Sequence, residues 1–213
     1  LGTAHAAYCG LKKLPNESVD MAITSPPYYG LRNYQVEGQL GLEKTFDEYQ
    51  KKILEITAEL LRILKKTGTL WWNMGDVYGG SGTGMSYARQ SCGPKSILKG
   101  KLDKFPKVGH NRGEFDKCLL MMPERIALGM INQGWILRNK IIWAKQVLLK
   151  KENITKGSVM PTSVKDRFNQ SYEDLYFFVK NKKYWFDLDA VRLKIQTFEN
   201  RPMGIDREKE YPN

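Results

Sequence analysis

Apolar and polar residues follow two different periods along this chain, which predicts strands and helices in succession. The apolar run over 19–24 ends in turn residues and is typical of a buried strand. Thr45 then begins a predicted helix, because Glu48 completes a capping box and apolar residues recur at helical spacing until Gly68. Later runs predict strands over 69–74 and 135–143, a helix over 123–132, and a hairpin of 175–179 with 184–186. This succession favours an α/β domain with a mostly parallel sheet.

The first predicted strand ends in an unusual corner, ITSPPYYG at 23–30. Ligands of α/β sheets bind at the carboxyl ends of strands, so the corner is well placed to form a site. Proline fixes its own φ and keeps the preceding residue extended, which makes Ser25, Pro26 and Pro27 present their oxygens outward. Tyr28 adds a flat ring on which a base can stack. A hydroxyl, a carbonyl and an aromatic face together suit an exocyclic amine.

Composition narrows the class of partner. The chain has 213 residues, of which 41% are hydrophobic, enough for one globular domain. Its net charge of +11 favours a polyanion, because clustered Lys and Arg neutralise phosphates. Three cysteines without a paired motif and two histidines make a poor metal set, so we expect a reduced, cytoplasmic protein without a metal. The most apolar stretch is broken by Arg138, Lys140 and Lys145, which argues against a membrane span.

Residues 79–117 break the pattern. Glycine, serine and lysine are frequent there, and neither period persists, so we expect a long loop. Basic residues outnumber acidic ones in this insertion, which favours a mobile arm near DNA. A solvated insertion without a role is the alternative.

The corner, TSPPYYGLRNY at 24–34, is followed in order by EGQLGLEKTFDEY, GTLWWNMGD, MPERIALGM, IIWAK, SVKDR and KYWFDLDAVR. This ordered set covers most of the chain and resembles the amino-group DNA methyltransferases, in particular the circularly permuted class that carries its catalytic Ser/Asp/Asn-Pro-Pro-Tyr motif first. The resemblance implies a Rossmann-like methyltransferase fold, S-adenosylmethionine as cofactor and double-stranded DNA as partner. Serine in the motif most resembles the N4-cytosine members, with N6-adenine as the alternative.

The resemblance also implies roles for individual residues. Hydrogen bonds from the target amine to Ser25 Oγ and to the Pro26 carbonyl would aim the nitrogen lone pair at the methyl donor. Tyr28 would stack on the base after it leaves the duplex. The catalytic set is therefore Ser25, Pro26, Pro27 and Tyr28. Cofactor contacts are expected from Thr24, Ser25 and Asp76. DNA or base contacts are expected from Tyr29, Arg32, Trp143 and Lys145, for which packing or surface roles are the alternative.

The sequence departs from the family at the cofactor motif. No Phe-x-Gly-x-Gly segment follows Arg192, and the similar stretch VYGGSGTG at 77–84 is interpreted as a loop. We therefore expect a catalytic region over 1–192, the start of a target-recognition or linker segment over 193–213, and an incomplete fold.

Two alternatives to a self-sufficient enzyme stay open. One is a non-catalytic DNA-binding remnant. The other is half of a split enzyme, whose cofactor site is completed by a second polypeptide; in the enzyme we favour, a missing C-terminal segment completes it. Methylation of a protein glutamine fits the basic charge less well.

Overall fold

The computed structural model describes residues 9–31, 34, 37–79, 115, 117–149, 154–157, 159 and 164–192. Its strands are β1 (Val19–Thr24), β2 (Leu64–Met74), β3 (Ile136–Ala144), β4 (Gln146–Leu149), β5 (Ile154–Gly157) and β6 (Tyr172–Val179). Its helices are α1 (Phe46–Ile63) and α2 (Met122–Asn132), and a short 3₁₀ turn spans Asp189–Val191. The order of elements is that of an α/β domain.

Four strands form the main sheet in the order β1-β2-β6-β3, while β4 and β5 pair as a separate hairpin. β1 is parallel to β2, and β6 is antiparallel to both of its neighbours, β2 and β3. Three of the four strands thus point the same way, which agrees with the mostly parallel sheet that was expected. Because β6 runs in the opposite direction, its first residues lie where the other strands end, with Asp174 opposite Met74.

Helix α1 begins where the capping pattern predicts, since the Thr45 hydroxyl accepts a hydrogen bond from Glu48 N at 3.2 Å. It ends earlier than expected. Leu64 has an extended ψ of 139° and already pairs with Val19 as the first residue of β2. The predicted strand start at 69 was therefore wrong. Helical periodicity continues through this boundary because Leu64 is apolar and fully buried, and an apolar residue at this point is compatible with a core-facing position in a helix or in a strand.

The hydrophobic core lies between the sheet and the two helices. Alternate residues of β2, namely Leu70, Trp72 and Met74, join Tyr176 and Phe178 of β6 in this core. The helices contribute Tyr49, Ile53, Leu60 and Ile63 from α1 and Met122, Ile126 and Met130 from α2. The opposite side of β2 carries Trp71 and Asn73, so the polar Asn73 belongs to the face away from the helices.

The second strand of the hairpin predicted after β6 does not form. Trp185 donates its backbone N–H to Thr67 O at 3.2 Å. Tyr184 and Phe186 instead place their rings against Phe177, with centroid distances of 5.7 and 5.6 Å. Aromatic packing over the sheet explains the apolar pattern that suggested a strand.

Several expectations fall outside the described residues. The insertion does so over 80–114 and at 116, and the expected recognition or linker segment does so over 193–213. Within the described ranges, no helix combines the length and the hydropathy needed to cross a membrane.

The contact between α1 and α2 is close at one position. Gln133, just after α2, donates from Nε2 to Leu54 O at 2.7 Å and accepts from Thr57 Oγ1 at 2.8 Å. A Cβ on Gly129 would lie 2.8 Å from Leu54 Cδ2 and 2.9 Å from Leu54 Cδ1. Glycine at 129 therefore lets the two helices approach.

We expect Gly129→Val to lower the free energy of unfolding by about 1–3 kcal/mol, because the added side chain crowds Leu54 in a packed contact. Urea unfolding followed by circular dichroism measures this. Leu128→Val is the matched control, since it places the same residue at a neighbouring position that is 61% exposed. Equal losses in the two variants would contradict the close contact.

Candidate active site

A cavity of about 560 Å³ lies at the carboxyl ends of β1 and β2. The corner at 24–28 lines it, together with residues that flank the corner and residues from more distant parts of the chain. These are Ile23, Leu31, Tyr34, Asn73, Trp143, Lys145, Glu173 and Leu175. The cavity sits where the α/β order predicted a ligand site.

The proline corner is held in place from behind. The Tyr49 hydroxyl, on α1, donates to Pro27 O at 2.9 Å. Gly30 N donates to Gly41 O at 2.8 Å, which ties the corner to the following loop. Gly41 has a φ of +93°, and a Cβ there would lie 2.7 Å from Tyr28 O, so a glycine is needed at this approach. The corner is a fixed surface rather than a free turn.

The Tyr28 side chain stands at the centre of the polar contacts. Its hydroxyl lies 3.2 Å from Ser25 Oγ and donates to Glu173 Oε2 at 3.0 Å, while Asn73 Nδ2 donates to it at 3.3 Å. Burial, together with the negative charge of Glu173, raises the pKa of the Tyr28 hydroxyl to about 12, although the hydrogen bond with Ser25 opposes this. The hydroxyl is therefore neutral at physiological pH. A Cβ on Gly75 would lie 2.8 Å from Tyr28 Cε2, so the ring packs directly on that glycine.

Glu173 gathers three donors on one oxygen. Its Oε2 accepts from Tyr28, from Asn73 Nδ2 at 2.8 Å and from Lys145 Nζ at 3.1 Å. Lys145 Nζ also lies 4.5 Å from the centroid of the Trp143 ring. The carboxylate thus links the corner to the ends of β2 and β3.

The structure brings most of the predicted site residues together. Those that line the cavity are Thr24, Ser25, Pro26, Pro27, Tyr28, Trp143 and Lys145. Sequence reasoning missed Asn73 and Glu173. Asn73 had a usable signal, since it is a polar residue that interrupts the apolar stretch 70–74 at the end of its strand. Glu173 had none, because its position depends on the direction of β6.

One expected contact needs correction, and the expected cofactor contact of Asp76 stays a prediction. Tyr29 was expected to contact DNA, but its side chain is 4% exposed and packs against Phe46 and Tyr49, so it has almost no surface to offer a base. Asp76 was expected near the cofactor, but it is not among the residues that line the cavity. Its Oδ1 accepts from Val77 N at 2.8 Å and from Met122 N at 3.0 Å, which caps the start of α2. Arg32 lies outside the described residues.

Comparison with known proteins identifies the class. The family model for N6/N4 DNA methylases matches residues 19–210, and the chain belongs to this family. It is 34% identical over 201 residues to the type II methyltransferase M.SfiI of Streptomyces fimbriatus, which covers 92% of this chain and 41% of that protein. It is 37% identical over 182 residues to the type II methyltransferase M.XycI of Xanthomonas campestris pv. cyanopsidis, covering 85% of this chain and 55% of that protein. The chain spans about half the length of these relatives.

A solved structure supports the same fold. The PvuII DNA methyltransferase, described as cytosine-N4-specific, matches 95% of this chain and 58% of that chain with a TM-score of 0.52 and 16% sequence identity. At this identity the likeness concerns the fold. The sheet and its helices therefore have the Rossmann-like arrangement of DNA methyltransferases, as the sequence predicted.

We expect Tyr49→Phe to destabilise the protein by about 1–2 kcal/mol, because the change leaves the part-buried carbonyl of Pro27 without its donor. Chemical unfolding of purified protein measures the difference. Tyr34→Phe is the control, since it removes a hydroxyl from a side chain that is 50% exposed. A loss no larger than that of the control would contradict the role of Tyr49 in holding the corner.

Proposed function

We propose that this chain is the catalytic region of a DNA methyltransferase. The enzyme transfers a methyl group from S-adenosylmethionine to the exocyclic amine of a flipped base. The base that we propose is cytosine, methylated at N4, with N6 of adenine as the alternative. The observation that carries the proposal is the meeting of the Ser25 hydroxyl, the fixed proline corner and the Tyr28 ring in one cavity at the strand ends. Membership of the N6/N4 DNA methylase family supports it.

The chemistry of an aromatic amine explains why such a corner is useful. The nitrogen lone pair is delocalised into the ring, so the amine is a poor nucleophile. Hydrogen bonds from its two N–H groups to Ser25 Oγ and to the Pro26 carbonyl favour a pyramidal nitrogen and direct its lone pair outward. Because Tyr49 and Gly41 fix the corner beforehand, little ordering is needed when the base arrives.

Aromatic surface near the corner suits a planar base. The Tyr28 ring provides one face for stacking. The Trp143 side chain, which is 51% exposed and lines the same cavity, provides another. A base is reachable for this chemistry only after it leaves the duplex, and stacking offsets part of the free energy lost on unstacking. Double-stranded DNA with one base flipped out is therefore the proposed substrate.

The cavity fits the reacting end of S-adenosylmethionine. A sulfonium ligand is best surrounded by oxygen acceptors, and the cavity offers the hydroxyls of Thr24 and Ser25 beside the apolar side chain of Ile23. When bound, the cofactor supplies an electrophilic methyl group. Asp76 is engaged in capping α2 and is left out of this proposed set.

The overall charge agrees with the proposed substrate. A net charge of +11 attracts the phosphate backbone and speeds encounter with DNA. The type II methyltransferases named above suggest a role in restriction and modification, and a cytoplasmic location follows from that role.

We expect Ser25→Ala and Tyr28→Ala each to lower the rate of methyl transfer roughly a hundredfold, because each removes a group that positions the base. Transfer of a labelled methyl group to duplex DNA measures the rate, and circular dichroism checks that the fold is intact. Ser18→Ala is the matched control, since its hydroxyl bonds Pro15 O at 2.8 Å outside the cavity. Wild-type rates in both cavity variants would refute the proposed site.

The identity of the product tests the choice of base. DNA treated with the full polypeptide that contains this chain is digested to nucleosides and analysed by mass spectrometry. We expect N4-methylcytosine. N6-methyladenine instead would keep the methyltransferase and change its target. If the full polypeptide transfers no methyl group, the remnant alternative gains support, and restoration by a second polypeptide would indicate a split enzyme.

A further inference from the structure

The cavity holds a carboxylate whose position suggests more than a structural task. Among the described residues that line the cavity, Glu173 is the only acidic one. Its side chain is 23% exposed, and three donors converge on the same oxygen, Oε2. Neither the fold nor the base contacts proposed above account for this arrangement.

The hydrogen bonds around Tyr28 can point in only one direction. An ionised carboxylate cannot donate, so Tyr28 must donate its single hydroxyl proton to Glu173. In the contact between Ser25 and Tyr28, where either oxygen could donate by distance alone, Tyr28 must then accept. Ser25 therefore points its proton at Tyr28 and keeps its lone pairs for a ligand. Glu173 thus makes the Ser25 hydroxyl an acceptor for an amine N–H, through an intervening residue.

We propose that Glu173 receives the proton that the target amine loses, through a chain of hydrogen bonds that runs from Ser25 Oγ to Tyr28 and on to Glu173 Oε2. This inference rests on the proposed function. The two contacts in the chain measure 3.2 and 3.0 Å. Ser25 touches the amine, whereas Glu173 acts through Tyr28 and Ser25 and is a positioning and proton-accepting residue rather than a catalytic one.

The proton balance of this step is simple. As the amine nitrogen gains its methyl group it becomes cationic, and its N–H bond breaks in the same step, with the electron pair returning to nitrogen. Ser25 Oγ takes that proton and passes its own to Tyr28, which passes its own to Glu173. The net change is one N–H bond broken and one carboxyl O–H bond formed, while Ser25 and Tyr28 end unchanged. Glu173 can then release the proton to solvent, because its side chain is partly exposed.

Neither of the intervening residues can take this task alone. A serine hydroxyl is too weak a base to keep the proton. Tyr28 remains neutral, so it can relay a proton but does not begin as a base. Lys145 is a cation and has no acceptor. The carboxylate of Glu173 is the group that remains.

The deciding variant is Glu173→Gln in the full polypeptide, studied by single-turnover methyl transfer to duplex DNA. Glutamine keeps an oxygen that accepts from Tyr28, so a role confined to holding the Tyr28 hydroxyl would leave the rate unchanged. A proton acceptor is lost, so we expect the single-turnover rate to fall about a hundredfold, while the DNA concentration that gives half of the maximal rate stays within about twofold. Glu173→Asp should recover part of the loss, and Asp20→Asn, an exposed carboxylate paired with Lys65 at 2.7 Å, should have no effect.

A double-mutant cycle tests the chain itself. Tyr28→Phe interrupts the relay but keeps the ring, and we expect it to slow transfer about as much as Glu173→Gln. Because both changes break one path, the double variant should be no slower than either single variant. Independent, multiplying losses would overturn the relay.

A measurement without turnover examines the same contact. An ordinary tyrosine is half ionised near pH 10. With ¹³Cζ-labelled tyrosine, the Tyr28 resonance is assigned as the one that disappears in Tyr28→Phe. Near pH 10 we expect this resonance to keep the chemical shift of neutral tyrosine in the wild type. In Glu173→Gln it should ionise at lower pH, because the carboxylate charge helps to raise the pKa of Tyr28. An unchanged titration would overturn the contact on which the relay depends.

The outcomes separate the two proposals. An active wild type with an equally fast Glu173→Gln variant refutes the relay and leaves the methyltransferase function standing. An inactive wild-type polypeptide refutes the proposed function, and the relay with it.

Discussion

The direction of one strand determines the composition of the cavity. β6 lies between β2 and β3 and runs against both, so its first residues meet the last residues of its neighbours. A parallel strand in the same place would put Glu173 at the opposite end of the strands, away from the cavity. Instead, Glu173 pairs with Trp143 of β3 and reaches Asn73 of β2 and Tyr28 of the corner. One antiparallel strand therefore joins three otherwise separate segments into a site.

The core and the site share structural elements, which explains the rigidity of the corner. Tyr49 is fully buried in the core, and its hydroxyl holds the Pro27 carbonyl. Tyr28 packs on Gly75 at the end of β2, and its backbone oxygen lies against Gly41. Because the packed core sets these contacts, the groups that we propose as acceptors for a base are held in place by the fold itself. Such preorganisation reduces the entropy lost on binding.

Charge is distributed differently over the chain and in the cavity. The chain as a whole carries +11, which favours phosphates at long range. Within the described lining, one acid and one base, Glu173 and Lys145, form an ion pair at 3.1 Å. A nearly neutral pocket on a basic protein suits a neutral base attached to an anionic backbone. Under the proposed function, attraction of DNA and acceptance of the base would be served by different parts of the molecule.

The sequence alone determined the α/β class, the two main helices, the strand that leads into the corner and the residues of that corner. These features depend on local spacing and on the stiffness of proline, which act within a few residues. It did not determine the start of β2, because an apolar residue such as Leu64 fits the pattern of a buried helix and that of a buried strand equally well. It also could not assign Tyr29 to the core, Asp76 to the cap of α2, or Glu173 to the cavity. The position of Glu173 depends on which strands pair and in which direction, and those of Tyr29 and Asp76 depend on how the helices pack beside the sheet. Only the tertiary structure decides both, because the partners are far apart in the chain.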